Sequence, residues 1–214
     1  AWKRAEPDLA VLAMVPSFVV SWVAYGIIAV SISEAWLGNE PSLVRSLRYV
    51  FRQGLVGALL IVALAQGAAL VLIGTIILIL SEIVAPIISV PLIVILIIPG
   101  LVLLVWLVFS PVVVVLERRS ALTSLARSKR LGSGYHWRTA GILSVGLVLF
   151  MGGVSLGALA ESITANPLVS EVWHLLWPVI FTPIMVSALV LRYYDLRARR
   201  EGYDTGGLGE SLPL

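Results

Sequence analysis

The sequence predicts an all-α, polytopic transmembrane helical bundle, with five spans in this chain and amphipathic helices on its cytoplasmic side. Of its 214 residues, 59% are hydrophobic and only 13% charged, with a mean hydropathy of +1.02, well above what a soluble domain carries. Five apolar runs are long enough for a helix to cross roughly 30 Å of hydrocarbon, which takes about 20 residues. The positive charge is gathered between those runs: residues 33–54 hold three Lys or Arg, 117–139 hold six, 192–214 hold four, and the two remaining loops hold none. By the positive-inside rule, the loops carrying thirteen of the fifteen basic residues are cytoplasmic. That places the chain as a multi-pass protein of the inner, or plasma, membrane with a cytoplasmic C-terminus.

The chain reads as one transmembrane domain, 1–214, with no room for a soluble second domain. The first span, about 9–32, contains Pro16, Trp22 and Tyr25 and ends at Glu34, Trp36 and Gly38. The second, about 55–80, has small residues at Ala63, Gly67 and Gly74 near one face, a pattern that suits close helix approach, and one amide, Gln66, which needs a partner. The third, about 90–116, carries Pro91, Pro99, Gly100 and Pro111, which predict a broken or kinked helix. The fourth, about 140–159, has Gly146, Gly153 and Gly157, the last two forming a GxxxG. The fifth, about 172–191, contains Pro178 and Pro183 and leads into a cytoplasmic tail, 192–214, whose Gly-rich end is expected to fray. Trp36, Trp137, Trp173 and Trp177 sit at positions suited to interfacial aromatics. Five spans with a cytoplasmic C-terminus put Lys3 and Arg4 on the outer side, and this parity predicts a further span upstream of Ala1.

Two cytoplasmic segments, 41–52 and 119–131, are expected to be collar helices near the membrane plane. In the first, Leu43, Val44, Leu47, Val50 and Phe51 fall within an arc of about 120° at about 100° per residue, with Arg45, Arg48 and Arg52 opposite. At an offset of 82 positions Ser42-Leu-Val-Arg-Ser-Leu-Arg48 echoes Ser124-Leu-Ala-Arg-Ser-Lys-Arg130. Glu34 and Glu117 precede the two segments in corresponding places. Coincidence within a small alphabet is one reading, and a duplicated unit of span, collar helix and span is the other. In the second copy Lys129 falls in the apolar arc and must snorkel.

The segments PVVVVLERRSALTSLARSKRLGSGYHWRTAGI, LRYYDLRARREGYD and SEAWLGNEPSLVRSLRYVFRQ, taken together, resemble the six-helix membrane domain that precedes the catalytic domain in some bacterial glycerophosphoryl diester phosphodiesterases, and the stand-alone integral-membrane relatives of that domain. The resemblance covers nearly the whole chain. It implies an all-helical bundle with one helix more than this chain shows. It carries over no catalytic residue, because the phosphodiesterase domain has no counterpart here.

Candidate chemistry is sparse. With no cysteine there is no disulfide framework and no thiolate nucleophile or ligand. The spans contain no ionisable residue of the kind that marks proton relays and ion paths. His136 and His174 lie at opposite interfaces, and Glu161 and Glu171 read as solvated loop residues. No catalytic, cofactor or metal site is expected, and the positive charge is explained by topology before nucleic acid. Glu34 and Glu117, each beside a basic cluster, are expected to form structural ion pairs. Arg45, Arg48, Arg52, Arg127, Lys129 and Arg130 are expected to meet anionic lipid headgroups or a protein partner. The function expected is that of a non-enzymatic scaffold or accessory subunit. The alternative is a transporter or lipid-handling protein with an amphiphile cavity at the Pro- and Gly-broken helices.

Overall fold

The computed structural model describes residues 6–83, 99–100 and 102–202. Among them are seven numbered helices and no strand: α1 (Glu6–Trp36), α2 (Leu43–Arg52), α3 (Leu55–Ile83), α4 (Ser110–Glu117), α5 (Ala121–Gly132), α6 (His136–Thr164) and α7 (Pro167–Glu201), and residues 102–108 ahead of α4 are helical as well. Among the described residues four helices are long and apolar enough to cross a membrane, over Pro16–Trp36, Leu55–Ile79, His136–Thr164 and Pro167–Glu201. The expected span at 90–116 is described only in part, as the shorter apolar helix Val102–Glu117. The turn after α3, the kink at Pro91 and the Gly-rich end of the chain lie outside the described residues.

The helices outrun the spans read from hydropathy, because a polar residue ends an apolar run without ending a helix. α7 makes the largest correction: it continues through 192–201, a stretch expected to be tail. Asp195 pairs with Arg192 one turn before it and with Arg199 one turn after, and Arg197 pairs with Glu201, so the charged turns are helix-compatible as well as polar. The helix stops at Gly202, whose φ of 70° supplies the left-handed C-cap. Pro178 and Pro183 lie inside α7 without ending it.

Pro111 does interrupt the third apolar segment. The chain turns at Phe109 and restarts as α4 with proline in its first turn, where a missing N–H costs least. The carbonyl that Pro111 would have served four residues earlier belongs to Leu107. It accepts instead from Gln66 Nε2 of α3 at 2.7 Å and from Ser110 Oγ. The amide that needed a partner has thus found the acceptor that the proline exposed.

The core lies at the collar end of the bundle. α4 is its centre, with Val112 to Leu116 wholly buried, and around it pack Val30 of α1, Val50 of α2, Leu59 and Val62 of α3, Leu131 of α5, and Val190 and Tyr193 of α7. Gly26 lets α1, α2, α3 and α4 meet: a Cβ there would stand 2.9 Å from Leu59, 3.4 Å from Val115 and 3.7 Å from Val50. Away from the collar the apolar side chains of α3, α6 and α7 are largely exposed, as for helices that face lipid rather than protein. Gly67 and Gly74 depart from expectation, since nothing stands within 4 Å of a Cβ at either, so they bring no other described helix close.

Candidate functional site

Two successive units, α1–α2–α3 and α4–α5–α6, place their collar helices alike. Glu34, near the end of α1, lies 3.8 Å from Arg45 of α2, and Glu117, the last residue of α4, accepts from Arg127 Nε of α5 at 3.1 Å. Arg45 and Arg127 are the arginines that correspond in the sequence echo, and the serines after them, Ser46 and Ser128, are both fully buried against the bundle. The last helix enters between the units with consecutive tyrosines. Tyr193 donates to Glu117 Oε1 at 2.8 Å, and Tyr194 shares a hydrogen bond with Ser33, beside Glu34.

The two carboxylates differ in surroundings. Glu117 also accepts from Arg119 at 2.6 Å, and Arg127 pairs in addition with Glu201, which accepts from Arg197 Nε at 2.9 Å. The result is a network joining α4, α5 and α7 in which Arg127 is 12% exposed. Burial works to lower the Arg127 pKa, but its hydrogen bonds and charge contacts with Glu201 and Glu117 outweigh that, and the guanidinium is held above its usual value. Arg127 is therefore committed to holding the collar together. Arg45 is 63% exposed and touches Glu34 only at its edge.

α2 carries three faces. Ser46, Val50 and half-buried Tyr49 pack on the bundle, where Ser46 bonds Ser31 at 2.9 Å and Tyr49 donates to the Val115 carbonyl at 3.1 Å. Leu43, Val44, Leu47 and Phe51 form an exposed apolar strip beside it. Arg45, Arg48 and Arg52 make up the remaining face, and Arg48 and Arg52 form no ion pair among the described residues. Val50 alone of the expected apolar arc turns into the protein.

α5 is bound more tightly. Ala121, Ser124, Ser128 and Leu131 form its buried stripe, and Gly132 approaches the helical stretch 102–108 so closely that a Cβ would lie 3.3 Å from the Val105 carbonyl. Lys129 is exposed, and its ammonium sits 4.4 Å from the Trp106 ring centroid, a cation–π contact. Arg130 is exposed. Of the six basic residues singled out from the sequence, Arg45, Arg48, Arg52, Lys129 and Arg130 are exposed, Lys129 with its ammonium over Trp106, whereas Arg127 is half-buried and engaged within the protein.

No protein-family model, curated protein or solved structure matches the chain. Among the described residues no group of His, Cys, Asp and Glu is arranged to hold a metal ion. Glu161 accepts from Ser170 across the turn between α6 and α7, a structural contact, and Glu171 is exposed.

Two tryptophans expected at the interface are used differently. Trp173 Nε1 donates to the Gly153 carbonyl at 2.6 Å and Trp177 Nε1 to the Phe150 carbonyl at 3.2 Å, with their rings stacked 5.8 Å apart. The GxxxG of α6 thus receives indole rings from α7. Trp36 and Trp137 are exposed.

Sequence reasoning passed over Arg138 and Arg192, which line one groove between α6 and α7, together with Gly141, Val145, Leu149 and Phe181. By sequence each belongs to a loop charge cluster, and only the pairing of α6 with α7 brings them together. A second groove, of about 490 Å³, runs between α1 and α7 beside Trp22, Tyr25, Pro178 and Pro183.

Proposed function

We propose that this chain is a non-enzymatic integral membrane scaffold or accessory subunit of the plasma membrane, whose cytoplasmic collar holds anionic lipid headgroups and docks a protein partner with an acidic surface. The observation that carries this is α2: an exposed apolar strip of Leu43, Val44, Leu47 and Phe51 lies beside exposed Arg45, Arg48 and Arg52, on a helix anchored to the bundle by its third face. Such a helix rests in the headgroup region, with its apolar strip toward acyl chains and its guanidinium groups toward phosphates. Each basic residue near an anionic leaflet contributes about 1 kcal/mol, and the attraction fades with salt. The charge of the collar loops places that side in the cytoplasm.

The test replaces Arg45, Arg48 and Arg52 with Gln, leaving the charges at 117–139 to hold topology. Bound anionic lipid and co-purified partners are compared with wild type at low and high salt. Loss of either at low salt, with topology kept, supports the proposal; unchanged lipid and partner recovery overturns it. The α1–α7 groove at Pro178 and Pro183 favours a second reading, a lipid-handling protein, which transfer of a fluorescent lipid between vesicles would reveal.

A further inference from the structure

We infer that the groove between α6 and α7 is a binding site for one anionic glycerophospholipid of the collar-side leaflet, with its phosphate at Arg138 and Arg192 and an acyl chain along the groove. The groove has a volume of about 580 Å³, within the range of about 300–1,000 Å³ usual for ligand clefts. Its walls are apolar, with Gly141, Val145, Leu149, Phe181 and Ala188 along it, and its two arginines stand at the collar end of the two helices. From Arg138 to Leu149, α6 rises roughly 16 Å at about 1.5 Å per residue, about half of the roughly 30 Å hydrocarbon thickness. Charge at headgroup level and an apolar trough one leaflet deep match a phospholipid and do not match a free anion or a protein helix.

The second, independent observation concerns Arg192 itself. The residue is 7% exposed, its Nη1 is bonded to Asp195, and its Nε and Nη2 are buried with no partner among the described residues. Buried guanidinium donors without acceptors are costly, and a phosphate at the groove mouth supplies acceptors in the bidentate geometry that arginine favours. The other charges near this end are Asp195, already shared between Arg192 and Arg199, Arg200, which lies over the Tyr135 ring and donates to the Ser133 carbonyl, and Arg138, which is exposed and forms no ion pair among the described residues. The local balance is therefore cationic. Tyr135, whose ring centroid lies 5.8 Å from the Arg192 guanidinium, adds a ring face and no charge.

This site is separate from α2, and the two fail separately. The full chain is reconstituted in nanodiscs of phosphatidylcholine doped with phosphatidylglycerol, released into detergent, and its retained lipids counted by native mass spectrometry. Wild type is expected to keep one phosphatidylglycerol in preference to phosphatidylcholine. Arg138→Gln and Arg192→Gln are each expected to weaken that retention roughly tenfold, the effect of losing one charge-assisted hydrogen bond, with Arg192→Lys intermediate. Gly141→Leu leaves every charge in place and has open space for its side chain, so it is expected to expel the lipid by filling the trough without disturbing the fold. The R45Q/R48Q/R52Q variant is expected to keep this lipid. Equal retention of the two lipids by wild type, wild-type retention by both Arg138→Gln and Gly141→Leu, or displacement of phosphatidylglycerol by inorganic phosphate would each overturn the assignment.

Discussion

Gln66 of α3 donates its side-chain amide at 2.7 Å to the Leu107 carbonyl, the acceptor left without its helical donor by Pro111. In hydrocarbon an unsatisfied carbonyl has no water to turn to. Gln66→Leu is therefore expected to destabilise the bundle by about 1 kcal/mol, with Ser110 limiting the loss. Pro111→Ala restores an N–H for the same carbonyl, so the double variant should lose less than Gln66→Leu does. Thermal unfolding of all three variants in one detergent measures this; additive losses would show that Gln66 acts elsewhere.

The two collar carboxylates occupy matching places but should not be worth the same. Glu117 serves Arg119, Arg127 and Tyr193 in a network that is mostly out of water, whereas Glu34 meets an arginine that is 63% exposed. Glu117→Ala removes one of the two carboxylates that hold half-buried Arg127, leaving Glu201, together with the acceptor for Tyr193, and about 1.5–3 kcal/mol is expected for the lost charged hydrogen bonds. Loss of the Glu34–Arg45 pair itself should cost under about 1 kcal/mol, as read by a double-mutant cycle of Glu34→Gln with Arg45→Gln. Comparable coupling energies at the two pairs would contradict the burial difference.

Glycines of α3 and α6 look alike in sequence and differ in space. A Cβ at Gly153 would overlap the Trp177 ring, so Gly153→Ala is expected to loosen α6 from α7 at a cost of about 1–3 kcal/mol, the usual range for overpacking. Gly67→Ala meets nothing within 4 Å and should instead stabilise α3 by roughly 0.5–1 kcal/mol through its helix propensity. Melting temperatures of the two variants should move in opposite directions.

Such differences show which parts of the molecule were legible in advance. Composition and loop charge suffice for an all-helical membrane bundle, because lipid leaves few other solutions. The arc of Leu43, Val44, Leu47, Val50 and Phe51 reveals an amphipathic helix, since period and charge sort themselves along one short segment. What is not legible is partnership across the chain. Tyr193 and Tyr194 belong to YYDLRARRE, whose residues equally suit an exposed end at headgroup depth; only the approach of α7 to Glu117 and Ser33 makes them bundle members. Arg127 and Lys129 carry the same charge as Arg48 and Arg52, and nothing local says that Glu201 and Trp106 will claim them. The Leu107 carbonyl is an intermediate case: Pro111 announces that it will lack a donor, but not that Gln66 will supply one.

The sequence echo itself gives a final contrast. Ser46 and Ser128 are equivalent in it, and both are fully buried where a collar helix lies against the bundle. Ser46 shares a hydrogen bond with Ser31 at 2.9 Å and donates to the Ser42 carbonyl, whereas the Ser128 hydroxyl has no partner among the described residues. Truncating a bonded hydroxyl loses the bond and leaves its partner bare; truncating an unbonded one removes a desolvated polar group that was contributing nothing. Ser46→Ala should therefore cost about 1 kcal/mol, while Ser128→Ala should be neutral or slightly stabilising. Leucine at either position should be disruptive, since both serines face the bundle with no exposed surface. Unfolding midpoints of the four variants decide the matter: equal effects of the two alanines would mean that the hydroxyls are equivalent in their bonding as well as in their place, and that Ser128 has an acceptor too.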